Sequence, residues 1–132
     1  MSGRHEALAA YLRAARGRPF QAGKHDCFLF AAGACRAIGG PDLGRGWRGK
    51  YRSVKRGLAL ARAAGYADHV DFVARHLPEK PVATAQVGDL VALRFGDEWA
   101  LGVCVGARVQ FLHERGLGSL PLTAAARAFG VA

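Results

Sequence analysis

The chain of 132 residues carries 19 Lys and Arg against 10 Asp and Glu, a net charge of +9, and half of its residues are apolar. This length and apolar content suit a single domain over residues 1–132, and the charge favours an anionic partner such as nucleic acid, an acidic polymer or an acidic protein face. No apolar run approaches the roughly 20 residues that span a bilayer, and the first residues lead into an amphipathic stretch rather than a signal peptide, so we expect the protein to stay in the compartment where it is made.

The first part of the chain has the periodicity of helices. Apolar residues recur at the spacing of one helical face in the opening segment, which we expect to end near Gly17. Asp26 is a suitable N-cap for a second helix from Cys27 to about Ile38, where a Gly-Gly-Pro run stops it. This second helix is apolar on almost every side, so it should be central and buried.

A long basic loop, residues 39–51, follows with five glycines. Loops of this length are usually functional or disordered, and interfaces draw disproportionately on Trp, Tyr and Arg. We therefore predict that the basic segment 42–56 is the main contact with a partner, through Arg45, Trp47, Arg48, Lys50 and Tyr51. Ser53 can cap a third helix that stops at Gly65, and a fourth helix around residues 70–77 is ended by Pro78.

From Val87 onward the pattern becomes strand-like. A short apolar run at 90–93, an alternating segment at 99–105 and a further segment at 109–113 predict strands joined by turns. Residues 116–122 continue the pattern, and a short Ala-rich helix is predicted at 123–129. Helices followed by an antiparallel meander indicate an α+β domain, with the helix that bears Cys27 packed on the C-terminal sheet.

The cysteines and histidines leave several readings open. Three cysteines without a CxxC pair argue against a disulfide framework or a metal site, and no cofactor motif is present. Cys35 and Cys104 are expected in the core. Cys27 is either a buried core cysteine, a nucleophile or a partner contact; at the first turn of a helix, the macrodipole would lower its pKa. His69 and His76 are expected to be solvated.

Three segments, in order, resemble the NlpC/P60 cysteine peptidases. Residues 19–27 (Pro-Phe-Gln-Ala-Gly-Lys-His-Asp-Cys) are similar to the Pro-Tyr-x-x-Gly stretch and Asp-Cys pair that open the central helix of that fold. Residues 87–91 (Val-Gly-Asp-Leu-Val) are similar to its first long strand, and 102–106 with 111–113 to the strand pair that carries the rest of the triad. Residues 18–131 further resemble an uncharacterised family of small phage and prophage tail proteins, which share the Arg-Gly-x-Tyr loop found here at 48–51.

The resemblance implies a papain-like fold in which Cys27 holds the nucleophile position and His113 that of the third triad residue. The base histidine of the family falls here at Ala100 or Leu101, neither of which can move a proton. Phe20 stands where the peptidases usually have Tyr, and the small residues after the family's cysteine are replaced by bulky ones. These departures indicate a catalytically degenerate domain.

Three functional hypotheses follow. The first is a structural component of a phage or phage-like tail tip or baseplate, made in the bacterial cytoplasm and carried in the virion, with other tail and hub proteins as partners. The second is an endopeptidase that cleaves peptidoglycan during infection, with His113 or His25 recruited as base. The third is a basic DNA- or RNA-binding accessory protein, although no helix-turn-helix, RRM or zinc signature accompanies the basic loop.

Overall fold

The computed structural model describes residues 3–131, in which four α-helices precede six β-strands. The helices are α1 (Gly3–Arg16), α2 (Cys27–Ala37), α3 (Val54–Ala63) and α4 (His69–His76). The strands are β1 (Glu79–Lys80), β2 (Leu90–Phe95), β3 (Glu98–Cys104), β4 (Arg108–His113), β5 (Gly116–Pro121) and β6 (Ala125–Phe129), with short 3-10 turns at Val82–Thr84 and Leu122–Ala124. The predicted α+β class is confirmed.

Side-chain caps set where three of the helices begin. Asp26 accepts a hydrogen bond from the Leu29 amide at 2.9 Å, at the start of α2. Ser53 accepts one from the Arg56 amide at 3.1 Å and so begins α3. Asp68 caps α4 in the same way. Each cap satisfies an amide that has no partner within its own helix, which explains why these helices begin where they do.

The strands form one antiparallel sheet in the order β1-β6-β2-β3-β4-β5. Helix α2 packs across β3 and β4, with α1 beside it, and its Phe30, Ala31 and Cys35 are fully buried. This confirms the prediction that the helix bearing Cys27 lies on a sheet formed largely by residues 88–122. The opposite face of the sheet has a smaller apolar cluster that includes Cys104, so Cys35 and Cys104 are both core residues, as expected.

The predicted helix at 123–129 is wrong, because residues 125–129 form strand β6 between β1 and β2. Alanine favours helices, but an isolated helix of seven residues is marginal in water. As a strand, the segment pairs with the edge of β2 and fully buries Ala128 and Phe129, while Arg127 bonds Glu79 at 2.7 Å. Burial and strand pairing outweigh local propensity here.

No helix within residues 3–131 combines the length and apolar character needed to cross a membrane.

Candidate functional site

A cleft of about 340 Å³ opens between the N-termini of α2 and α4, the side of α3 and the strands β3 and β4. Cys27 and His113, the two residues that the resemblance places in a triad, both line it. Trp47 and Tyr51 from the basic loop line it as well. The structure thus brings the predicted catalytic positions and two of the predicted partner-binding residues to one place.

Cys27 is partly exposed to this cleft, whereas Cys35 and Cys104 are buried. Its pKa is raised to about 11 because burial disfavours the thiolate, and hydrogen bonding from the Leu101 backbone offsets this only in part. The expected net lowering of the Cys27 pKa at the start of the helix is therefore wrong, since desolvation is the larger effect. At neutral pH the group is a protonated thiol, which is a weak nucleophile.

Residues 100 and 101, where the resemblance places a base histidine, bring no imidazole to Cys27. The Leu101 backbone lies against the sulfur, the Leu101 side chain is fully buried, and the methyl group of Ala100 lines the cleft. His113 lies at the exposed end of β4, where its Nδ1 accepts from the Arg115 amide at 3.3 Å. Within residues 3–131, no histidine ring hydrogen-bonds the Cys27 sulfur.

The placement of His25 lends no support to its proposed role as a replacement base. The residue is only 3% exposed, its ring stands edge-on to Phe30 with centroids 6.3 Å apart, and it is not part of the described cleft wall. Burial lowers the pKa of His25, with a further lowering from the nearby charge of Arg18. The buried Nε2 has no hydrogen-bond partner among the described residues, so this is a neutral histidine of the interior.

His69 is the histidine that the sequence analysis placed wrongly. It is half-buried in the cleft wall at the first turn of α4, rather than solvated, and its Nε2 lies 2.9 Å from the Trp99 carbonyl oxygen. Because a carbonyl can only accept, Nε2 carries the hydrogen and Nδ1 is left as an acceptor. Burial lowers the pKa of His69, which keeps the ring neutral at pH 7. His76 is exposed, as expected, and its Nδ1 lies 2.7 Å from the Phe72 carbonyl oxygen.

Asp26 organises the floor of the cleft. Its buried carboxylate accepts from the amides of Gly23 and Leu29, each at 2.9 Å, and from the Tyr51 hydroxyl at 2.6 Å. Burial, followed by this bond to Asp26, raises the pKa of Tyr51. Phe20 and Tyr51 both line the cleft, and Tyr51 is the one that brings a hydroxyl.

The other predicted partner-binding residues of the basic loop lie in different places: at the cleft, at a neighbouring hollow, and in an ion pair with Asp42. Trp47 is half-buried and packs edge-on against Phe72, with ring centroids 5.4 Å apart, so that it separates the cleft from a shallow neighbouring hollow. Arg45 and Lys50 line that hollow. Arg48 instead bonds Asp42 at 2.7 Å. Whether these five side chains bind a partner stays a prediction.

No metal centre is visible in the described structure: within residues 3–131, no three His, Cys, Asp or Glu side chains come together in a way that could hold an ion.

Several residues of the cleft were not identified from the sequence. Strands β3 and β4 contribute Glu98, Trp99 and Phe111, and the turn after β4 contributes Glu114. Their convergence depends on strand pairing that local patterns do not specify. His69 did carry a local signal, because Asp68-His69 repeats the arrangement of Asp26-Cys27, in which a capping aspartate precedes the first helical residue. The repeat predicts that both helix N-termini present a polar side chain at a similar position.

The chain belongs to the family described as a domain of unknown function (DUF6950), whose model matches residues 1–131. Neither the curated proteins nor the solved structures contain a significant match to the chain.

Proposed function

We propose that this member of the DUF6950 family is a structural component of a bacteriophage or phage-like tail tip or baseplate, and that its degenerate cysteine-peptidase-like fold docks a partner protein instead of cutting one. The motifs at 19–27, 48–51, 87–91 and 102–106 support the tail assignment through their order and spacing. The observation that carries the binding role is the state of Cys27, a protonated thiol in an aromatic-lined cleft with no base bonded to it.

Papain-like hydrolysis needs a thiolate and an imidazole that shuttles its proton. Here the strand opposite the sulfur provides the Leu101 backbone and the Ala100 methyl group, neither of which can accept a proton. What the cleft retains is shape and apolar surface. Small-molecule and peptide sites are typically clefts of this kind, largely apolar with a few polar groups that fix orientation.

Incorporation into particles tests the proposal. Tails are induced and purified from the organism that encodes the chain, and the protein is quantified in them by mass spectrometry. We expect wild type and Arg13→Ala, an exposed arginine of α1, to be incorporated equally. Trp47→Ala should be depleted from the tails, and so should Lys50→Glu, which changes an exposed side chain. Circular dichroism should show that both variants are folded. Absence of the wild-type protein from tails would refute the assignment.

The second candidate is the peptidoglycan endopeptidase, and one observation favours keeping it. Cys27, His69 and His113 line the same cleft, and the Trp99 carbonyl orients His69 as a third triad member would. If this arrangement were catalytic, purified protein would release stem peptides from sacculi, and release would disappear in Cys27→Ala and in either His69→Gln or His113→Gln. We expect no release above the Cys27→Ala background.

A further inference from the structure

The charge of the cleft is opposite to the charge of the chain. With 19 Lys and Arg against 10 Asp and Glu, a random surface would be dominated by cations. The described cleft wall instead holds three carboxylates, Asp26, Glu98 and Glu114, and no lysine or arginine. Because Asp26 is buried and bonded to Tyr51, the two glutamates are the charges that an occupant would meet.

These two glutamates are also without ionic partners inside the protein. Several other surface carboxylates do pair with a cation, as Asp42 pairs with Arg48 and Glu79 with Arg127. Within residues 3–131, neither Glu98 nor Glu114 makes a hydrogen bond or an ion pair. In a chain with so many cations, two unpaired carboxylates at one cleft attract an added cation. The nearest resident cation among the described contacts is the guanidinium of Arg94, which lies 5.1 Å from the centre of the Trp99 ring and pairs with neither glutamate.

Aromatic rings complete the same wall. Trp99 and Phe111 line the cleft from β3 and β4, and Phe20 lines it ahead of α2. Aromatic faces attract cations, and their effect adds to that of nearby carboxylates. The mouth is apolar too: of the three large apolar side chains exposed among the described residues, Val54 and Phe95 line this cleft. Exposed apolar groups concentrated at one place mark an interaction site.

We infer that the cleft accepts a lysine or arginine side chain carried on an apolar segment of a partner protein, with Glu98 and Glu114 pairing the charge and the aromatic rings covering its aliphatic stem. This rests on the proposed function to the extent that the cleft is a docking site. The negative charge that would attract this side chain belongs to the cleft. The neighbouring hollow beyond Trp47 is lined by Arg45 and Lys50 and would repel a cation.

Tryptophan fluorescence measures the occupancy directly, because the chain has two tryptophans and both Trp47 and Trp99 line the cleft. Three capped pentapeptides serve as probes, each with leucine and phenylalanine flanking a central lysine, norleucine or glutamate. We expect the lysine peptide to bind about tenfold more tightly than the norleucine peptide at low salt, the glutamate peptide to bind most weakly, and the difference to shrink at high salt.

The variants Glu98→Gln and Glu114→Gln should each weaken the lysine peptide about threefold or more and leave the norleucine peptide unchanged. Asp97→Asn is the matched control, an exposed neighbouring acid that is outside the described cleft wall, and should change neither. Equal binding of the lysine and norleucine peptides, or binding of none of the three, would overturn the inference. Tail incorporation tests the proposed function separately, so a negative result in the peptide-binding test does not refute the tail assignment, and a negative result in the tail test does not refute peptide binding.

Discussion

Cys27 lies where two effects on its thiol oppose each other. It occupies the first turn of α2, where the helix macrodipole and free amides favour a negative charge. It also faces apolar rings and lies beside the Asp26 carboxylate, both of which disfavour that charge. Burial is the largest of these effects and raises the pKa of Cys27 to about 11. Position on a helix therefore does not make this cysteine reactive.

The reactivity of Cys27 should follow from that pKa. A thiol with a pKa two units above its ordinary value has roughly a hundredfold less thiolate near neutral pH, and alkylation proceeds through the thiolate. We expect iodoacetamide to modify Cys27 about a hundred times more slowly than free cysteine near pH 8, with the rate still rising beyond pH 10. Mass spectrometry of the peptide that contains Cys27 gives the rate, and a plateau below pH 8 would show an activated thiol.

Tyr51 provides a second prediction at this scale. Removing its hydroxyl leaves the buried Asp26 carboxylate without the 2.6 Å bond that joins the basic loop to the start of α2. We expect Tyr51→Phe to lower the free energy of unfolding by about 2 kcal/mol, the usual range for a hydrogen bond to a charged group. Tyr66→Phe is the control, because the Tyr66 hydroxyl makes no hydrogen bond within residues 3–131. Urea denaturation compares them, and equal stability of the two variants would contradict this role.

The elements differ in how far the sequence predicts them. The helices were identified because an apolar face and a capping residue such as Asp26 or Ser53 act within a few positions. Strand β6 is not predicted, because Ala125 and its neighbours favour a helix by local propensity. Only pairing with β2, which is distant in the sequence, makes the segment a strand. The cleft shows the same limit: its motif identifies Cys27, but Glu98 of β3 and Glu114 of the turn after β4 reach the cleft only through the pairing of the strands.

Asp89 links several elements and supplies a prediction of its own. Its carboxylate is 2% exposed and bonds Lys80 of β1 at 2.8 Å, Arg4 of α1 at 3.0 Å and the Val131 amide at 3.0 Å. Replacing the charge in Asp89→Asn leaves two partly buried cations without their anion, so we expect a loss of about 3 kcal/mol or more. Glu79→Gln, which breaks only the exposed pair with Arg127, should cost less than about 1 kcal/mol. Similar losses in both variants would show that Asp89 is not a special link.

The whole molecule should lose stability in two stages as the pH falls. Burial lowers the pKa values of His25 and His69 below the ordinary 6.5. The unfolded chain therefore takes up these protons at a higher pH than the folded chain does, and the free energy of unfolding declines as the pH drops below about 6.5. Partner cations and amides lower the pKa values of Asp42, Glu79 and Asp89, so the second decline comes at more acidic pH, where the unfolded carboxylates protonate first.

Urea denaturation across the pH range checks this behaviour. We expect His25→Gln to flatten the first decline while leaving the second unchanged, whatever its absolute stability, because it removes one of the two histidines that produce the slope. Unchanged slopes between about pH 6.5 and pH 5 in this variant would mean that His25 titrates alike in both states.

We propose that the cleft binds a partner protein of the tail rather than cleaving one, and one comparison of two variants tests this proposal. Cys27→Ser removes the thiol with little change in volume, whereas Phe95→Ser removes an exposed apolar group, 44% accessible, from the mouth of the cleft. Each variant replaces the native gene, and tails are assayed for the protein and for infectivity. We expect Cys27→Ser to match wild type in both measures and Phe95→Ser to be depleted from tails. Full incorporation of Phe95→Ser together with loss of infectivity in Cys27→Ser would contradict it.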